Sequence, residues 1–208
     1  AVVIVNTVVL VQSTFKLTEH ATTWAFGLFG LGSMLSAFIL PKVLDKFSDR
    51  SVMLTGTTVL VLGLFSGYFV TSYTGLLVLW FILGVGYSTS QTPTGRLIRK
   101  SAASENRTSL FAAQFAFSHA CWLITYPLVG WLSTHFGTLQ TFIPMAVIAI
   151  GALILALSLW SSRDETFLPH RHDDLPPDHE HLLQHQVNGV HIHEYMIDDH
   201  HPKWLKPR

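Results

Sequence analysis

One stretch of this sequence sets polar, proton-active side chains inside an otherwise apolar run. Gln114, Ser118, Cys121 and Thr125 recur at spacings of four, three and four, and His119 sits beside them. On a helix those spacings return to one face, because 3.6 residues make a turn. An imidazole gains and loses a proton near neutral pH, so His119 suits contact with a substrate or a proton. It equally suits a neutral ring hydrogen-bonded to a neighbouring helix. Asn6, Gln12 and Gln91 are weaker members of the same class, since amides in apolar helices often only tie helices together. Ser118 and His119 are adjacent on a helix and point in different directions, so they form no obvious nucleophile–base pair. No Walker-type Gly-Lys-Ser/Thr loop is present to imply ATP. The reading is non-enzymatic, with His119, Gln114, Ser118, Gln91 and Asn6 as candidate substrate-binding residues.

A second constellation lies near the C-terminus. It contains His170-x-His172, His179-x-His181, His191-x-His193 and the pair His200-His201, with Asp173, Asp174, Asp198 and Asp199 among them. Clustered imidazoles and carboxylates suit divalent transition metals such as Ni, Co, Zn or Cu. No cysteine accompanies them and no closed four-ligand spacing exists, so this is not a zinc finger. These eight histidines are the candidate metal ligands, and nothing else in the chain requires a cofactor. The bland alternative is a polar tail of biased composition.

The elements that must position these groups follow from composition. Of 208 residues, 49% are hydrophobic and 12% charged, against about 25% charged in a soluble domain. No Asp, Glu, Lys or Arg occurs in 51–95 or 108–162, as expected of segments embedded in hydrocarbon. Six apolar runs stand out, at about 1–15, 21–44, 52–72, 75–93, 109–132 and 139–160. They are longer than the roughly ten-residue alternating strands of a membrane barrel. The expected fold class is an all-α membrane protein, a bundle of six transmembrane helices over residues 1–160. The first run is short and opens Ala-Val-Val-Ile-Val with no flanking charge. That is not a signal peptide, and we expect a helix entered midway, with an N-terminal part missing. Gly63 and Gly67, Gly32 and Ser36, and Gly86 and Ser90 are each four apart, which lets helix backbones approach closely. Pro127 and Pro144 are expected to kink their helices. The single cysteine, Cys121, excludes an internal disulfide, and a net charge of zero offers no basic excess for nucleic acid.

The remaining residues, 161–208, hold nine His, nine acidic residues and five Lys or Arg. They lack an apolar period long enough for a core and are expected to be largely disordered without a ligand. Lys42, Lys46 and Arg50 fall in the second-to-third connection, and Arg96, Arg99, Lys100 and Arg107 in the fourth-to-fifth, whereas Lys16 is the only cation on the opposite side. Basic connections stay in the cytoplasm, so the expected topology puts both basic loops and the tail there.

The second-to-third connection reads Pro41-Lys-Val-Leu-Asp45-Lys46-Phe-Ser48-Asp49-Arg50. It resembles the Gly-x-x-x-Asp-Arg/Lys-x-Gly-x-Arg/Lys signature of the major facilitator superfamily of secondary transporters. Asp45, Lys46 and Arg50 match the charged positions, while Pro41 and Ser48 replace the glycines. The resemblance assigns Asp45, Lys46 and Arg50 to gating, as a charge-assisted latch on a neighbouring helix. The segments Thr92-Pro-Thr-Gly-Arg96-Leu-Ile-Arg99, Phe111-Ala-Ala-Gln114 through Trp122, and Tyr126-Pro127 also look like bacterial transporters of this superfamily that end in a His-rich tail. Six helices followed by a tail would be the C-terminal half of a twelve-helix fold, whose substrate site lies between pseudo-symmetric halves.

The resemblance implies a small-solute transporter of the bacterial inner membrane, an exporter working by alternating access and driven by protons. Its partners would be the lipid bilayer, the absent N-terminal six-helix half and a small-molecule or ion substrate, with a transition metal as one version of the cargo. The rival class is a membrane-anchored metal-binding regulatory or scaffold protein whose helices only hold the tail.

Overall fold

The computed structural model describes residues 1–160, 167–169, 176, 180, 182, 186–187, 190–197 and 201. The chain begins with α1 (Val2–Val8), which runs into a π-helical stretch at Val9–Thr14. Then come α2 (Glu19–Leu44), α3 (Asp49–Gly67), α4 (Tyr73–Gln91), a short α5 (Thr94–Ser101), a 3-10 turn at Ser104–Asn106, α6 (Arg107–Phe136) and α7 (Phe142–Leu159). Five helices, α2, α3, α4, α6 and α7, are long and apolar enough to cross a membrane, while Val2–Thr14 is a shorter apolar helix. The all-helical membrane bundle expected from the charge-free runs is what forms.

Local sequence explains the ends. Ser48 caps α3, its hydroxyl accepting from the Ser51 amide at 3.2 Å, and Ser72 caps α4 in the same way through Gly75 at 3.1 Å. Asp49 follows its cap directly, where a carboxylate meets the positive end of the helix dipole. Gly137 ends α6 at φ 97°, a conformation that glycine adopts without Cβ strain. Pro127 lies inside α6. Pro144, expected to kink its helix, instead occupies the first turn of α7, where its missing N–H breaks no helical bond.

Packing is organised on α4. Without a hydrophobic drive between helices in lipid, small residues and interhelical hydrogen bonds decide which faces meet. A Cβ on Gly32 would run into the Phe81 carbonyl, and one on Gly84 into the Phe29 carbonyl, so α2 and α4 touch backbone to backbone. Ser33 donates to the Gly84 carbonyl at 3.0 Å, and the Ser36 and Thr89 hydroxyls meet at 2.9 Å. On the other side of α4, a Cβ on Gly56 would lie 2.5 Å from the Ser90 amide. Gly67 makes room for the Phe142 ring, seating α7 on α3. The fully buried side chains Leu10, Val11, Leu76, Trp80, Val129 and Phe142 form the core. Trp80 donates its indole N–H to Thr7 at 2.8 Å.

Residues 161–208 are expected to be largely disordered, and most of them lie outside the described residues. The described part contains three short strands, β1 (Phe167–Pro169), β2 (Gln186–Val187) and β3 (Val190–Glu194), with β3 between the other two in antiparallel pairing.

Candidate functional site

His119 lies near the middle of α6, twelve residues from its start at Arg107. Its Nδ1 is 2.8 Å from the Phe115 carbonyl. A carbonyl can only accept, so this bond fixes the proton of the neutral ring on Nδ1 and leaves Nε2 as an acceptor. The ring is exposed and packs against Phe115 at 3.8 Å and Trp122 at 4.7 Å between centroids. Trp122 in turn stacks on Tyr126 at 6.2 Å and 7°. Phe115, His119, Trp122 and Tyr126 thus form an aromatic ladder at helical spacing. A basic nitrogen flanked by π faces can meet a cationic or aromatic solute.

The polar stripe beside the ladder is quieter than its composition suggests. Ser118 donates to the Phe115 carbonyl at 2.8 Å, and Thr125 to the Cys121 carbonyl at 2.8 Å. Both hydroxyl protons are therefore used by the helix itself. Gln114 is half-buried and Cys121 is exposed. Gln91, exposed at the end of α4, has no described contact with His119. Asn6 is placed differently from the others. It is fully buried, donates to the Thr138 carbonyl at 3.5 Å and accepts from the Ser133 hydroxyl at 3.2 Å. Its amide ties α1 to the far end of α6. Gln12 likewise ties to Thr22 at 3.2 Å.

The charged connections converge at the other notable place. Asp49 is only 7% exposed, and its Oδ2 lies 3.1 Å from Lys100 Nζ and 3.6 Å from Arg96 Nε. Arg96 also donates to the Leu44 carbonyl at 3.2 Å, at the end of α2. Arg50 donates to the Trp160 carbonyl at 3.1 Å, just past α7. These ties join α3 to α2 and α5 through Asp49, Arg96 and Lys100, and to the end of α7 through Arg50. Of the residues expected to gate, Arg50 makes such a tie. Asp45 sits at the C-terminal cap of α2, Lys46 is exposed, and neither forms an ion pair among the described residues. The carboxylate that holds the cations is Asp49, four residues beyond the motif aspartate. A sequence signal for it existed, because Arg96 and Lys100 are four apart and share a helix face. A cavity of about 390 Å³ lies beside this clasp between α2, α3 and α4, lined by Leu40, Val43, Val52, Ser51 and Thr55 among others, with no residue from α6.

Of the tail histidines, His170, His172, His179, His181 and His200 lie outside the described residues. His193 belongs to the β3 backbone, while His191 and His201 are buried, at 8% and 2% exposure. No group of three potential metal ligands comes together among the described residues.

A family model, the Major Facilitator Superfamily, matches residues 1–189. Comparison with curated proteins and with solved structures gave no match.

Proposed function

The chain belongs to the Major Facilitator Superfamily, a family of transporters rather than enzymes, and from that premise we propose that it is one six-helix half of a secondary transporter that exports a small solute by alternating access. The observation that carries the site is the aromatic ladder around His119. The exposed face of α6 would form one wall of the cavity, with the other wall supplied by an N-terminal half. His119 Nε2 accepts from the solute or takes up a proton, the Gln114 amide orients the solute, and Phe115 and Trp122 supply apolar and π contact. Ser118 flanks that wall, and Asn6 ties α1 to the far end of α6. Proton coupling would use His119 together with groups in the other half. The basic loops and the tail face the cytoplasm of an inner-membrane protein, following the bias of Lys and Arg. The His-rich tail takes a divalent transition metal and makes the transporter responsive to it, a role supported by the paired histidines.

The test is solute flux in proteoliposomes that hold this chain together with its N-terminal half, across a panel of nickel, cobalt, zinc and ethidium. His119→Ala should lower flux of the transported solute by about tenfold, which equals the loss of one net hydrogen bond or π contact of about 1.4 kcal/mol. His119→Gln, whose amide can reach the Nε2 position, should recover part of it. Wild-type flux in His119→Ala would remove the ladder from the transport path. With the N-terminal half present, a transporter whose chain stops at residue 160 should still carry solute; complete loss of flux there would favour the anchored-scaffold reading.

A further inference from the structure

α5 is a helix without a backbone cap of its own among the described residues. It stops at Ser101, and Ala102 turns out into extended backbone at φ −137° and ψ 133°. The last four carbonyls of any helix lack partners inside it. One of these, the Lys100 carbonyl, accepts the Ile197 amide of the tail at 3.0 Å. Ile197 lies three residues beyond the end of β3. Around this bond the tail is well packed: Tyr195 is 4% exposed, His201 2%, and their rings meet edge to face at 4.8 Å. Ala102, next to the accepted carbonyl, is 3% exposed.

Lys100 therefore has two jobs. Its backbone is capped by the tail, and its ammonium holds the buried Asp49 of α3. We infer that residues 195–197 are a strap that caps α5 and couples the C-terminal tail to the Asp49 clasp. Losing the cap frays the last turn of α5, the turn that carries Lys100. An ammonium on a frayed turn holds a buried carboxylate less firmly, so lifting the tail loosens the tie between α5 and α3. By linkage, any ligand or modification that favours the lifted tail also favours the open clasp, to the extent that it discriminates between the two states. This regulatory contact depends on neither His119 nor a metal.

The test is hydrogen exchange on the full chain in detergent with EDTA present, which separates it from the metal reading. Three segments are followed: 97–103 at the end of α5, 195–197 in the strap and 76–90 in α4 as control. Ile197→Pro removes the donor, and Tyr195→Ala removes the buried ring while keeping the donor. Each should speed exchange of 97–103 by about tenfold, as expected when a local structure loses one hydrogen bond or one buried ring. Tyr195→Ala should speed 195–197 similarly, and 76–90 should not change. An unchanged 97–103 in both variants would overturn the strap. So would equal acceleration of 76–90, which would mean a general loosening of the bundle.

Discussion

Removing the Asp49 carboxylate is the sharpest test of how the basic end is held. Asp49→Asn keeps the size of the side chain and removes its charge. It leaves the Lys100 ammonium, whose side chain is 11% exposed, 3.1 Å from a neutral amide. Breaking a buried ion pair from one side costs about 3–5 kcal/mol, because the remaining charge is desolvated and uncompensated. The Arg96 arm is longer, at 3.6 Å, and 31% exposed, so its share is about 0–1 kcal/mol. We expect Asp49→Asn to lose about 3 kcal/mol, a factor of about 150 in the equilibrium it controls. Asp49→Asn with Lys100→Met removes both charges and should lie within about 1 kcal/mol of wild type. Lys100→Met alone strands the Asp49 carboxylate and should also lose about 3 kcal/mol, so the coupling between the two sites is about 5 kcal/mol. The assay is unfolding in mixed micelles, followed by tryptophan fluorescence, for the wild type, both singles and the double. Asp45→Asn is the comparison and should change stability by less than about 0.5 kcal/mol. If Asp49→Asn also falls within that margin, or if the single losses simply add, the clasp is not holding these helices.

Gly84→Ala should destabilise the bundle by about 1–3 kcal/mol, because its methyl would meet the Phe29 carbonyl, while Gly27→Ala, with nothing within 4 Å, should be neutral; the same micelle titration compares them. Calorimetric titration of nickel, cobalt, zinc and copper into the full chain should show stoichiometric binding that disappears when the chain ends at residue 160. Equal heats in the two chains would take the metal off the tail.

The membrane bundle was legible because charge cannot enter hydrocarbon. The runs 51–95 and 108–162 contain no Asp, Glu, Lys or Arg, and α3, α4, α6 and α7 fall largely within them. The small-residue pairs were legible for a similar reason: Gly32, Ser36, Gly86 and Ser90 all lie where α4 meets its neighbours. Gly84 belongs to the same contact and has Ser88 four residues on, so the same spacing marks it. The charged end was harder. Asp45 and Asp49 are equivalent in composition, and which one finds a cation depends on where α2 stops and α3 starts. Only Asp49 begins a helix, and only the fold of α5 brings Lys100 to it across 51 positions. Ser118 and Thr125 drew attention as polar residues on an apolar helix, yet back-bonding to their own turn needs no other helix. Asn6 carries an amide of the kind that reads as a site, but its partner Ser133 is 127 residues away.

The central place of α4 also bears on how the chain assembles during synthesis. α2 and α3 are consecutive but scarcely touch each other; each packs chiefly on α4. Ser33 and its acceptor at Gly84 are separated by 51 residues, which a ribosome takes on the order of 3–10 s to add. For that interval α2 rests in the bilayer with its glycine groove empty. Ser33, its hydroxyl not yet turned to α4, can bond its own helix meanwhile. The α2–α3–α4 part of the bundle therefore closes in one event, when α4 arrives between two helices already waiting on either side.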